Sequence, residues 1–288
     1  MVSIQDVYGA FVGSFPLNVR LMNEICQVRT VEIEPKPGTP LYLPFAPGST
    51  CRIPLDYVIA PPVIVNHAWD FETIKISRGI IAERFQEAVL VDVGANTGMF
   101  SRQMLTASPE FRQAFAYEPH PENFRCLQHN IAPLERVQTF NYALGPEAGV
   151  LNFYIDPDNC GNYSLNPAAM PQNRDCASMP IAVKSAAAEA ETWLATGLPI
   201  FYKSDTQGHD EVIATSFDSS LWDKVFAGIF ELWRIKKPSW SAEKMSAILD
   251  RFPHKRFLGA PHGPVSTDGI LTYLSGEDGA SSDILFWK

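Results

Sequence analysis

No two cysteines of this chain stand a few residues apart in sequence. The five, Cys26, Cys51, Cys126, Cys160 and Cys176, are scattered, odd in number and without a Cys-x-x-Cys pair. That pattern argues against a zinc site or a disulfide framework and leaves ordinary thiols. Basic residues are also scarce: Lys+Arg number 23 against 32 Asp+Glu, a net charge of −9. An extended basic surface for a phosphate backbone is therefore missing, and nucleic acid is not an expected partner. No apolar run approaches bilayer-spanning length, and the opening stretch MVSIQDVYGAFVGSF carries no basic segment ahead of its apolar part. A cytoplasmic protein without membrane contact is the expectation. Internal repeats are absent too. What is present, 288 residues, suffices for one main α/β domain and a smaller appendage.

Residues 1–80 are rich in proline and β-branched residues, as in Glu34-Pro35-Lys36-Pro37-Gly38-Thr39-Pro40 and Ile59-Ala60-Pro61-Pro62, and show little helical periodicity. They read as an extended, irregular appendage suited to contact with a substrate or a second subunit. A homo-oligomer formed through them is one expectation. A short amphipathic helix is expected near Phe71 to Phe85, with Ile74, Ile81 and Phe85 on one face. The main domain, 81–288, then alternates. Strands are expected at Val89, AFAYEP, VQTFNYAL, PIFYKSD and KVFAGIFELW, with helices after Asn96, at Pro121 to Ile131 and at Ser241 to Phe252. This spacing predicts a parallel sheet built by right-handed crossovers. GVLNFYID reads as an added strand, and GILTYL with DILFWK as a terminal antiparallel pair. The segment Asp156 to Met179, dense in Asn, Pro and Asp, reads either as a lid or binding loop or as a surface insertion.

The most telling stretch is VLVDVGANTGMFS, from Val89 to Ser101: a buried strand, a tight turn and a helix start. Glycines there let the backbone come close to a ligand, and a helix N-terminus favours a small anionic group. The spacing Gly94-x-x-x-Gly98 lacks the early Gly-x-Gly and the third glycine of a dinucleotide fingerprint, so a pyrophosphate is disfavoured. Open α/β sheets bind ligands at the C-terminal ends of their strands. Here the first strand ends in Asp92 and the Gly94-Ala95-Asn96-Thr97-Gly98 turn, followed by Phe100. The second ends in Glu118-Pro119, the third in Asn141-Tyr142-Ala143, and the fourth in Asp205-Thr206-Gln207-Gly208. An acid at Glu118 can accept both hydroxyl hydrogens of a ribose. S-adenosylmethionine (SAM), with a ribose and a small carboxylate but no phosphate, suits these parts better than a dinucleotide. On that reading the Gly94 turn meets the amino-acid end, Glu118 the ribose and Asn141 to Ala143 the adenine. Asp205 meets the methionine end or the acceptor.

Together DVGANTGMFS, YEPHPENFRCLQHN, the spaced Leu144, Gly145 and Gly149, and K-S-D-T-Q-G-H-D resemble the FkbM-type SAM-dependent methyltransferases over about Val89 to Ile213. The resemblance implies an α/β, Rossmann-like class I methyltransferase fold with a seven-stranded, mostly parallel sheet flanked by helices. It also implies O-methylation of a hydroxyl on a sugar, polyketide or related small metabolite. Two departures stand out. Gln207 and Asp210 replace the acids of a motif that commonly reads K-x-D-x-E-G-x-E, and Ser185-Ala186-Ala187-Ala188-Glu189 replaces a Leu-Asp pair.

Methyl transfer is an in-line displacement at a sulfonium methyl, so the protein must align the acceptor oxygen, exclude water and assist deprotonation. Asp205 is the candidate base, with His209 and His120 behind it. A divalent ion between Asp205 and Asp210 is an alternative for lowering the acceptor's pKa, but the carboxylates are too sparse to require one, and no metal is expected. His262 reads as an incidental loop histidine, and the tryptophans as core. Two other readings compete. One is an NAD-linked oxidoreductase or epimerase, disfavoured by the turn and by the lack of a Tyr-x-x-x-Lys pair. The other is a SAM-binding scaffold without catalysis, for which the altered segment 185–189 is the support.

Overall fold

A computed structural model of the protein describes residues 29–84, 87–172, 175–237 and 240–288. Residues 1–28, which include Cys26, and Phe85 lie outside the described residues. The described residues open with a two-stranded antiparallel sheet, β1 (Thr30–Ile33) and β2 (Cys51–Pro54), followed by α1 (Ala60–Asn66) and α2 (Phe71–Arg84). The alternating part runs β3 (Ala88–Val93), α3 (Met99–Ala107), β4 (Phe111–Tyr117), α4 (Pro121–Ile131) and β5 (Val137–Phe140). Next come β6 (Ala143–Gly145), β7 (Gly149–Ile155), β8 (Ala177–Ser185), α5 (Ala186–Leu194), β9 (Ile200–Ser204), α6 (Asp210–Ala214) and α7 (Ser219–Lys224). The chain closes with β10 (Val225–Trp233), α8 (Ala242–Leu249), β11 (His254–Phe257), β12 (Gly263–Pro264), α9 (Thr267–Leu274) and β13 (Ser281–Trp287).

The main sheet has the order β12-β11-β13-β10-β9-β3-β4-β5. Strands β5, β4, β3, β9 and β10 are parallel, and β13 inserts antiparallel between β10 and β11. This is the strand order of the class I methyltransferase fold, with eight strands where seven were expected. The extra one is β12, a two-residue pairing with β11. Strand β3, AVLVDV, is buried along its whole length, as a central parallel strand covered on both faces must be. Its alternation splits the core in two. Val89, Val91 and Val93 join the face that also holds Tyr117, Trp193, Tyr202 and Trp222, while Ala88 and Leu90 join the face covered by Phe100, Met104 and Leu105 of α3.

Three local expectations are corrected. GILTYL is not a strand: Ser266 accepts a hydrogen bond from the Gly269 amide and starts α9, whose Ile270 and Leu274, four apart, are both buried. The partner of β13 is β11 instead. VQTFNYAL breaks after Phe140, so that β5 stays in the main sheet while β6 leaves it. GVLNFYID is a strand, but β7 pairs antiparallel with β8 in a separate three-stranded sheet, β6-β8-β7. That small sheet carries residues 156–176 as its β7–β8 connection and brings them over the ends of the main strands, while Ala177, Ser178 and Met179, expected in the same loop, are the start of β8.

Residues 29–66 pack against α3 and α4. Leu41, Cys51, Ile53, Ile59 and Val63 share a buried cluster with Met99 and with Cys160 of the β7–β8 connection. Arg102, wholly buried on α3, donates through Nε to the Leu41 carbonyl (2.8 Å) and through Nη1 to the carbonyls of Thr50 (3.1 Å) and Asn130 (2.8 Å). The described cysteines are free: Cys51, Cys126 and Cys160 are buried, and Cys176 is partly buried. Among the described residues, no helix is long and apolar enough to cross a membrane.

Candidate functional site

The C-terminal ends of β3, β4, β9 and β10, together with the start of the antiparallel β13, border a cavity of about 680 Å³, a size that suits a small-molecule ligand. The start of α1, the α1–α2 turn and the β7–β8 connection complete its wall. Of the residues expected from the sequence, Gly94, Ala95, Asn96, Thr97 and Phe100 line it from the first strand's turn. Glu118, Pro119, Tyr142 and Ala143 line it from the second and third, and Asp205, Thr206 and His209 from the fourth. Asp92, Gly98, Asn141 and Asp210 are not part of the lining.

Those four act behind the wall. Asp92 sits opposite Lys203 in the β3–β9 register and accepts from its Nζ at 3.2 Å and from Ser101 Oγ at 2.6 Å. Gly98, at φ 80°, lets α3 start against α4: a Cβ there would lie 2.6 Å from Leu127 Cδ1. Asn141 donates through Nδ2 to the carbonyls of Glu118 (2.9 Å) and Pro119 (3.0 Å), fixing the second strand end. Asp210 accepts from Ser204 Oγ and from the Thr206 amide, so its carboxylate is committed to the β9 exit.

The Gly94 turn differs from an open anion cradle. Four of its amides are already in use: Gly94 and Ala95 donate to the Tyr117 carbonyl, Asn96 to Glu118 Oε2 at 2.9 Å, and Gly98 to the Ala95 carbonyl. Gly94, at φ 77°, is needed for a different reason, since a Cβ there would come within 1.9 Å of the Asp205 carbonyl oxygen. What the turn offers is shape and an oriented carboxylate. Glu118 accepts Asn96 N on Oε2 and His120 N on Oε1 (2.8 Å), leaving a lone pair on each oxygen. Burial pushes its pKa up to about 8, with the His120 and Asn96 amides pulling the other way. Tyr142 is held by Glu189, whose two oxygens accept from the hydroxyls of Tyr142 and Tyr117, both at 3.1 Å. The unusual 185–189 segment thus braces the third strand end.

The opposite end of the cavity holds residues that sequence reasoning missed: Asp70, Glu231 and Asp283 line it beside Asp205. Glu231 and Asp283 are direct cross-strand partners on β10 and β13. Gln207 Nε2 bridges Asp205 Oδ1 (2.7 Å) and Glu231 Oε2 (2.8 Å). Lys203 reaches Asp205 Oδ2 at 3.4 Å as well as Asp92. Burial opposes the Lys203 charge, yet Asp92 and Asp205 carry its pKa above the usual lysine range. Burial raises Glu231 well above the carboxylate range, with Asp205 and Asp283 adding to it, and pushes Asp283 up to about 8 with help from Asp205 and Asp70. Burial also lowers His209 to about 4, so its imidazole is neutral at pH 7. A signal for Glu231 was present in the sequence, because it lies near the end of the fifth crossover strand just as Asp205 follows the fourth.

Among known proteins, no family model matches the chain. Over 83 residues it is 29% identical to the 2-O-methyltransferase NoeI of Sinorhizobium fredii, a stretch covering 28% of this chain and 34% of that protein. The match thus spans about a third of that relative's length. The FkbM methyltransferase of Methylobacillus flagellatus superposes with a TM-score of 0.42 at 14% identity, over 76% of this chain and 48% of that one. A SAM-dependent methyltransferase of Agrobacterium tumefaciens gives 0.39 at 10% identity, over 91% and 70%. The SAM-dependent O-methyltransferase of Thermotoga maritima gives 0.31 at 10%, over 75% and 64%. The chain is similar to FkbM-type methyltransferases at low identity.

Proposed function

We propose that the protein is a SAM-dependent methyltransferase that O-methylates a hydroxyl of a small metabolite such as a sugar, glycoside or polyketide-type product. The observation that carries this reading is the character of the lining around Glu118. Glu118 borders the cavity with a lone pair left on each carboxylate oxygen, and Asn96, Pro119, Tyr142 and Ala143 line it alongside. A carboxylate acceptor beside an aromatic and apolar strand end suits a ligand that brings ribose hydroxyls and a base, and it opposes a pyrophosphate, which brings only acceptors. The 2-O-methyltransferase name of the S. fredii relative points the same way.

When bound, SAM supplies an activated methyl group on a sulfonium centre. The chain's own residues bind and orient. Glu118 receives ribose hydroxyls, Pro119, Tyr142 and Ala143 flank the adenine, and the Gly94 turn bounds the amino-acid end. Asp205, at the mouth of β9, faces the acceptor and takes its proton, with neutral His209 beside it. Positioning in a site closed by the β7–β8 connection contributes most of the rate.

Calorimetric titration with SAM and with NAD tests the donor. Binding of SAM is expected, and tight NAD binding without SAM binding would overturn the reading. Transfer of labelled methyl from SAM to a hydroxylated acceptor, abolished by Asp205→Asn, would exclude a purely binding role.

A further inference from the structure

The cavity carries more acid than its own wall neutralises. Asp70, Glu118, Asp205, Glu231 and Asp283 border it, and Lys203 is the one Lys or Arg lining it among the described residues. That lysine is committed, to Asp92 at 3.2 Å and to Asp205 at 3.4 Å. Glu231 has an amide hydrogen from Gln207 Nε2 but no ion-pair partner among the described residues. Asp283 is barer still. Among the described residues no amide, hydroxyl or cation bonds its carboxylate, although the fold encloses it and it opens on the cavity.

Glu231 and Asp283 face each other across the β10–β13 ladder, where the next pair along is Phe230 with Ile284. Like charges directly opposite on antiparallel strands repel, and the apolar neighbours show what stability alone would select. Burial and this repulsion hold both carboxyls above the ordinary range. An enclosed carboxylate that borders a ligand cavity without a partner marks the place of a positive charge that the chain does not supply.

Two tryptophans stand beside these acids and line the cavity with them. Trp69 precedes Asp70 on the α1–α2 turn, and Trp233 follows Glu231 by two on β10, on the same side of the sheet. Gln103 of α3 clamps Trp69, accepting from its amide at 3.2 Å and donating to its carbonyl at 2.6 Å. Carboxylates flanked by aromatic rings suit an alkylammonium, whose charge meets the acids and whose C–H surface meets the rings. Among the described residues no three acids converge closely enough to hold a metal ion.

We propose that the acceptor is a hydroxyl compound that also bears an amine, of the amino-sugar class, whose ammonium is held by Asp283 and Glu231 with Asp70 at the rim, between Trp69 and Trp233, while its hydroxyl faces Asp205. The inference rests on the methyltransferase reading above and narrows its acceptor.

The test is calorimetric titration, on protein saturated with S-adenosylhomocysteine, of D-glucamine and of D-sorbitol, which carries a hydroxyl in place of the amine. At about pH 8 the alkylamine is charged. Glucamine is expected to bind about tenfold or more tighter than sorbitol. Asp283→Asn and Glu231→Gln keep the shape and remove the charge, and each should cut that preference by about fivefold. Asp268→Asn, which removes an exposed acid of α9 outside the cavity wall, should leave it unchanged. Equal binding of the two compounds, binding of neither, or a preference untouched by both cavity variants would overturn the proposal. Glucamine that binds only without S-adenosylhomocysteine would assign the acids to the donor's own ammonium, and displacement by stoichiometric magnesium chloride would assign them to a metal ion; either overturns it. Failure of S-adenosylhomocysteine to bind while the glucamine preference persists removes the SAM reading and leaves the ammonium site standing.

Discussion

The two ends of the cavity hold their carboxylates in opposite ways. At one end a single acid, Glu118, is fixed by two backbone amides that come from its own strand end and from the neighbouring turn. At the other, Asp70, Asp205, Glu231 and Asp283 crowd together, and the bonds among them run through side chains, Gln207 and Lys203. Both ends raise carboxylate pKa values, the first through burial and the second through burial compounded by like charge. A backbone-held carboxylate keeps one geometry whatever its neighbours do, and suits recognition of a constant group. Crowded carboxylates respond to each other's protonation, and suit a place where a proton must be accepted.

The largest expected effect comes from the cation that serves both ends. Lys203→Met leaves Asp92 buried without its ion-pair partner and removes the attraction that offsets the crowding. A loss of about 3–5 kcal/mol in urea denaturation is expected. Next is Glu118→Gln, which sharpens the contrast because it leaves the acidic end untouched. One face of the new amide would meet a backbone N–H, and affinity for S-adenosylhomocysteine should fall about ten- to a hundredfold in calorimetry.

Smallest is Asp283→Asn. An acid whose pKa is raised on folding binds more protons folded than unfolded between the two values. Its contribution to stability is therefore intact below about pH 4 and declines as pH rises toward 8. The groups facing Asp283 are Asp205, Asp70, Asp210, Lys203 and its strand partner Glu231. Asp283→Asn should therefore raise the melting temperature at pH 8 and do little at pH 4. Equal shifts at both pH values would break the comparison, placing the two ends on the same footing.

Legibility in the sequence followed the same divide. The strand-end residues Glu118, Asp205 and the Gly94 turn could be read because each lies at the end of an apolar run whose period and neighbours mark a crossover strand. Asp70, Glu231 and Asp283 come from a helix entrance, a fifth strand and an antiparallel last strand, with no local spacing that ties them together. Only the sheet order makes them neighbours. GILTYL carries strand-like residues, and the capping serine that made it helical stands outside the hexamer. The departure of β6 to a second sheet depends on its pairing with β8, about forty residues on. The bracing role of Glu189 was hidden for a similar reason, since its tyrosine partners lie 72 and 47 positions away.

Arg102 carries a consequence for how the molecule is made. Its guanidinium joins carbonyls at Leu41 and Thr50 to one at Asn130. During synthesis the amino-terminal segment leaves the ribosome before α3 and α4, so the bonds by which Arg102 joins the two cannot form until those helices exist.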